Sequence, residues 1–159
     1  MSRMKAMLTV FFDKNGVVYL EFVPEGQTVN GAFYVEVLKR LKRRVNRVRP
    51  EISANWKLHH DNAPSDTCFM VTGHLTKNGI VTIPQSPYSP NLAPADFFLF
   101  PKVKTVLKGC HHGTQDDVKR ACTHALKDTS VGDFQGAYEA WKHRLQKCVH
   151  AQGAYFEDY

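Results

Sequence analysis

Two aspartates, Asp61 and Asp96, stand where an α/β chain would put reactive carboxylates. Asp61 follows a strand-like run at residues 55–60 (Asn-Trp-Lys-Leu-His-His), and Asp96 opens a helical stretch directly behind a proline-rich segment. Strand ends and helix starts gather at one edge of an α/β sheet, where sites are usually built. Carboxylates brought together there suit hard divalent cations such as Mg²⁺, which take oxygen ligands and retain water. The same positions also suit a turn aspartate and a helix cap, two common structural uses of this residue. Zinc chemistry has weaker support. Neighbouring residues on a strand point to opposite faces, which argues against His59-His60 and against Cys110-His111-His112 as paired ligands. The four cysteines, at 68, 110, 122 and 148, lack the two-to-four-residue spacing of a zinc ribbon or finger and read as free thiols.

The elements that must position Asp61 and Asp96 can be read from pattern. Residues 7–12 and 17–23 are rich in β-branched and aromatic side chains, with Asp13-Lys14-Asn15-Gly16 between them. The Asn-Gly pair readily takes the positive φ values of a tight hairpin turn. Thr28-Val29-Asn30 then offers a helix cap, and Phe33, Tyr34, Val37, Leu38, Leu41, Val45 and Val48 form one apolar stripe up to about Arg49, where Pro50 stops it. After the strand at 55–60, the pattern predicts a helix over 66–78 with an αL stop at Asn78-Gly79, then a compact strand at 80–83. Residues 84–94 carry four prolines, which excludes regular structure but not an ordered loop laid over the core. Further helices are expected from Pro94 or Ala95 to about Lys108, with a kink at Pro101, then over 114–127 and 133–150. Strands and helices alternating behind an opening hairpin make the class α/β, in one domain spanning residues 1–159.

The chain has 159 residues, is 43% hydrophobic and carries a formal net charge of +6. That is enough apolar content for a core, and the charge favours a polyanionic partner such as DNA. Lys39, Arg40, Arg43, Arg44 and Arg47 crowd the polar face of the 30–49 helix, and Lys102, Lys104 and Lys108 follow on a later one. These eight are the candidate phosphate contacts, against the plainer reading of a solvated basic face. No window is long and apolar enough for a membrane span, and no secretory leader is recognisable at Met1-Ser2-Arg3-Met4-Lys5. No small-molecule substrate is indicated.

Two blocks carry a resemblance. His60-Asp61-Asn62-Ala63-Pro64-Ser65 and Tyr88-Ser89-Pro90-Asn91-Leu92-Ala93-Pro94-Ala95-Asp96 are similar to the signature blocks of mariner transposases. There an Asp within H-D-N-A is followed, after 34 residues, by the Asp closing Y-S-P-D-L-A-P-x-D. The same 34 residues separate Asp61 from Asp96. The opening hairpin, Gly26-Gln27-Thr28-Val29-Asn30, and the closing Trp141, Lys147-Cys148 and Gly153-Ala154-Tyr155-Phe156-Glu157 fit as well.

The resemblance implies an RNase H-like fold with C-terminal helices. It also implies a chemistry in which three carboxylates hold two Mg²⁺ or Mn²⁺ ions for DNA strand cleavage and joining. Asp61 and Asp96 match the second and third carboxylates. The first belongs, in the family, to a T-G-D-E block on a strand preceding the hairpin, and these residues contain no such block. That strand is central in the family's 3-2-1-4-5 sheet. Without it the hairpin should be parted from the strands near 55–60 and 80–83, leaving open edges. An N-terminally truncated, inactive domain is therefore expected, with DNA as partner, possible homodimers and a nuclear location. The alternative is a non-catalytic, sequence-nonspecific DNA-binding or dimerising module. Asp66 replaces a histidine usual in the first block and Asn91 an aspartate usual in the second.

Overall fold

The computed structural model describes residues 7–61, 63–108 and 113–150. The Met1–Lys5 segment, Asn62, the Gly109 helix stop, Cys110-His111-His112 and the 153–157 motif lie outside the described residues.

Strands β1 (Leu8–Asp13) and β2 (Gly16–Phe22) pair antiparallel, with Asp13 opposite Gly16. Only Gly16 takes a positive φ, at 120°; Asn15 does not. Instead the Asn15 N–H donates to Asp13 Oδ1 at 2.9 Å, a local side-chain bond that closes the turn. A bulge between Phe11 and Phe12 leaves Val18 between the partners of those two residues. Leu8, Val10, Phe12, Val17, Leu20 and Phe22 pack to one side of the hairpin, and Phe11, Val18 and Tyr19 to the other. A ribbon apolar on both faces needs a covering layer on each.

Helix α1 (Gly31–Val48) covers the first face. The Asn30 side chain caps it, accepting from the Phe33 N–H at 2.9 Å. Its buried stripe is Tyr34, Val37, Leu38, Leu41 and Val45, with Val37 and Leu38 fully enclosed. Each such aliphatic burial stabilises the fold by roughly 1.5–3 kcal/mol. A 3₁₀ turn at Pro50–Ile52 follows, ending the helix as the proline predicts.

Strand β3 (Lys57–His59) is shorter than the expected 55–60 run and pairs in parallel with β4 (Val81–Ile83). Between them the expected single helix is two: α2 (Pro64–Thr67) and α3 (Phe69–Lys77), broken by an extended Cys68 with ψ 160°. Gly79, at φ +67°, supplies the αL stop. Leu58, Val71, Leu75 and Ile80 from this half join α1 in one core. Among the described residues no ladder joins the two sheets, so the expected parting of the hairpin from the parallel pair holds there.

The 84–94 segment is irregular but for a 3₁₀ turn at Pro90–Leu92, and it is held down. Trp141 Nε1 donates to Leu92 O at 2.9 Å, and Arg144 Nη1 donates to Asn91 O at 2.8 Å. Behind it a π-helical turn, Ala95–Leu99, runs into α4 (Phe100–Lys108). Pro101 cannot donate to the carbonyl four residues back and its ring crowds that turn. The wider π register accommodates the fault, with the Phe100 N–H bonded to Ala95 O. Helices α5 (Gln115–Asp128), capped by Thr114, and α6 (Val131–His150) complete the second core around Leu99, Val103, Cys122, Leu126 and Phe134, against the other face of the hairpin. Helices thus lie on both sides of a β layer.

Candidate active site

Asp61 lies just past the C-terminal end of β3 and Asp96 in the first turn behind the proline-rich loop; both are exposed. Asp61 Oδ1 accepts the Ala63 N–H at 2.9 Å, so the carboxylate closes a turn while its second oxygen is not used there. Asp96 is not the cap: Pro94 holds the N-cap position of the turn that begins at Ala95, without a side-chain cap bond.

The two meet electrostatically at His59. Burial pushes the His59 pKa down, while a bond with Gln85 and the charges of Asp96 and Asp61 pull it up. Its Nε2 lies 2.8 Å from Gln85 Oε1, and its ring is 5.0 Å from that of Trp141. One imidazole therefore ties β3, the proline-rich loop and α6 together, and the charges of both aspartates reach it. His60 points elsewhere, with Nδ1 3.0 Å from the buried Tyr34 hydroxyl. Burial lowers its pKa as well, against the pull of Asp61. The two histidines serve different networks, as their adjacency on a strand predicts.

Asp66, five residues past Asp61, also reaches this region. The short helix α2 folds it back so that its carboxyl hydrogen-bonds Asp61. Burial, that bond and repulsion from Asp61 push its pKa up to about 7. Tyr34, facing both carboxylates, has its hydroxyl pKa raised, first by burial and then by Asp66 and Asp61. The five-residue spacing from Asp61 to Asp66 was the one available signal, and it needs the turn geometry to be read. Asp13 stays in the hairpin turn, paired with Arg49 at 2.8 Å.

Asp61, Asp66 and Asp96 offer the oxygen chemistry that Mg²⁺ or Mn²⁺ prefers. Yet among the described residues no group of three or more His, Cys, Asp or Glu side chains is gathered closely enough to hold an ion. The donors are of the right kind for such an ion.

The candidate phosphate contacts divide. Arg40 makes a two-pronged bond to Glu21 at 2.7 and 2.8 Å, Arg44 Nε donates to Val18 O at 3.2 Å, and both hold α1 on the hairpin. Lys39 pairs with Glu36 and Lys102 with Asp133, each at 3.0 Å. Arg43, Arg47, Lys104 and Lys108 are exposed and make no hydrogen bond or ion pair with other described residues. Among the described residues no helix is long and apolar enough to cross a membrane.

Comparison with known proteins agrees with this geometry. A family model described as Transposase (partial DDE domain) matches residues 1–55. The mariner Mos1 transposase of Drosophila mauritiana is 35% identical over 158 residues, covering 96% of this chain and 45% of that protein. The chain thus spans about half the length of this relative. The Mos1 transposase catalytic domain solved with raltegravir and Mg superposes with a TM-score of 0.86 at 33% identity, over 96% of this chain and 77% of that one. A Mos1 paired-end complex with the left transposon end gives 0.85 at 34% identity, over 96% and 45%. The fold is that of an RNase H-like DDE domain, and the chain belongs to the mariner transposase family, of whose catalytic domain it spans a part.

Proposed function

We propose that this chain contributes to metal-dependent cleavage and transfer of DNA strands, with Asp61 and Asp96 as two of the metal-holding carboxylates. The observation that carries the reading is that both stand on the loops that leave the parallel strands β3 and β4, and that His59 of β3 is bonded across to Gln85 of the second loop. Mg²⁺ or Mn²⁺ is the expected ion, and such ions activate an attacking oxygen and stabilise a leaving one in strand displacement. DNA is the expected partner, and a nuclear location and pairing of two copies go with that reading.

The carboxylate set is incomplete among the described residues, so the 159 residues tested alone are expected to bind DNA without cutting it. Supercoiled plasmid incubated with Mg²⁺ or Mn²⁺ decides this, with Asp61→Ala and Asp96→Ala alongside. No nicking by folded protein is the expected result. Nicking that both substitutions abolish would show that the aspartates present suffice. A second reading, a DNA-binding or dimerising module without catalysis, is favoured by the exposed Arg43, Arg47, Lys104 and Lys108. It predicts salt-sensitive binding with little sequence preference, because phosphate contacts carry no base information.

A further inference from the structure

Asp61 and Asp96 are carried by different halves of the molecule. Asp61 leaves β3, whose Leu58 belongs to the core beneath α1. Asp96 lies in the π-helical turn, whose Phe98 and Leu99 belong to the second core with α4, α5 and α6. Each core fixes its own aspartate, and neither by itself sets the spacing between the two. The chain between β4 and Asp96 does not set it either, because it is irregular but for one 3₁₀ turn. Something outside the loop has to hold it.

Two side chains of α6 do so. Trp141 and Arg144 stand three residues apart, on one face of the helix. The bonds of Trp141 Nε1 to Leu92 O and of Arg144 Nη1 to Asn91 O take two successive carbonyls of the loop. The Arg144 guanidinium also lies over the Phe97 ring, 4.0 Å from its centre. Arg144 therefore grips the chain on both sides of Asp96. A planar guanidinium can stack on a ring and donate from its edge at once, which a lysine cannot. The Trp141 ring lies 5.0 Å from that of His59, two residues before Asp61. Under these pins Leu92 and Ala93 are buried, and the Asp96 N–H donates to Ala93 O at 2.9 Å. A displacement of Leu92 is thus passed to Asp96 through one residue and one backbone bond.

We propose that Trp141 and Arg144 are positioning residues, which splint the loop across the two cores and set Asp96 against Asp61 for metal binding. The inference rests on the metal reading above and adds what fixes the geometry of the carboxylates. Neither side chain is a ligand. Each acts through the backbone of residues 91–96, and Trp141 also through the His59 ring.

The test is Mn²⁺ uptake by the folded 159-residue chain, followed through the electron paramagnetic resonance signal of the free ion. Wild type should take up Mn²⁺, and Asp61→Ala and Asp96→Ala should each weaken that uptake. Trp141→Phe deletes one donor and keeps a ring beside His59, while Arg144→Lys keeps the charge and loses the stacked fork. Combined, the two substitutions should weaken uptake about tenfold, the usual cost of removing groups that orient a ligand. Val45→Ala, on α1, opens a cavity in the first core and lowers the melting temperature. It should leave uptake unchanged, which separates positioning from stability. Uptake at the wild-type level by the α6 double variant, or a loss that Val45→Ala shares, would overturn the positioning role and leave the metal reading intact. A folded wild type that takes up no Mn²⁺, or only Mn²⁺ that both aspartate variants retain, would overturn both.

Discussion

A carboxyl whose pKa rises on folding costs stability as it ionises, and Asp66 is such a group. Its ordinary value is 3.8, and in the fold it is pushed up to about 7, chiefly by burial and then by Asp61. Between those values the native state holds a proton that the unfolded chain has released, so stability falls as pH rises from about 4 to about 7 and levels off above. A fully buried carboxyl with this separation would lose about 4 kcal/mol, at 1.36 kcal/mol per pKa unit. Asp66 is half-buried, and solvent screening reduces the expected loss to about 1–2 kcal/mol. Asp66→Asn cannot ionise. In EDTA, melts between pH 4 and pH 9 should show the variant matching wild type at the acid end and exceeding it by about 1–2 kcal/mol at pH 8. Parallel pH profiles for the two proteins would mean that folding does not raise the Asp66 pKa.

At the scale of elements, the junction of α2 and α3 lays its extended Cys68 against the start of α1. A Cβ built on Gly31, at the start of α1, would collide with Cys68 Sγ. Gly31→Ala should therefore destabilise the chain by about 1–3 kcal/mol, the usual cost of overpacking. In a Cys68→Ala background the sulfur is gone and the next nearest atom, the residue-68 Cβ, is 3.9 Å away. There Gly31→Ala should be neutral or stabilising by up to about 1 kcal/mol, since alanine suits a helix better than glycine. Additive denaturation midpoints in this double-mutant cycle would mean that the Cys68 sulfur does not limit the space at residue 31. This also explains which elements sequence could reveal. The hairpin, the Asn30 cap and the apolar stripe of α1 are written in local periodicity and were legible. The extended Cys68 was not, because its neighbour at the start of α1 lies 37 positions away in the chain. The π turn at Ala95–Leu99 was half legible: Pro101 announced a fault, but not how the helix absorbs it. The site divides in the same way. Asp61 and Asp96 could be found from the ends of their elements, whereas His59 as their meeting point and Asp66 as a neighbour require the assembled fold.

Across the whole molecule, a formal charge of +6 says less about DNA than the number of cations without an internal partner. Arg40 is bound to Glu21, and its guanidinium pKa rises accordingly; Arg44 supports Val18 O and Lys42 Nζ reaches Asn78 Oδ1. Engaging a phosphate with one of these would first break a contact that holds α1 to its neighbours. Arg43 and Arg47 on α1, and Lys104 and Lys108 on α4, carry no such cost. Counterion release then gives a quantitative expectation. Each phosphate neutralised on duplex DNA contributes about −0.9 to the slope of log affinity against log salt, so four contacts give roughly −3.6. Anisotropy titrations of a labelled duplex from low to moderate NaCl should return a slope of about that size. Replacing Arg43 and Arg47 together by alanine should reduce its magnitude by about 2 without lowering the melting temperature. Arg40→Ala should do the opposite, leaving Glu21 half-buried without its partner, at about 1–2 kcal/mol of stability, while the slope hardly moves. If the α1 pair changes nothing and Lys104→Ala with Lys108→Ala removes the slope, the duplex lies along α4 and the basic face of α1 is a solvated surface.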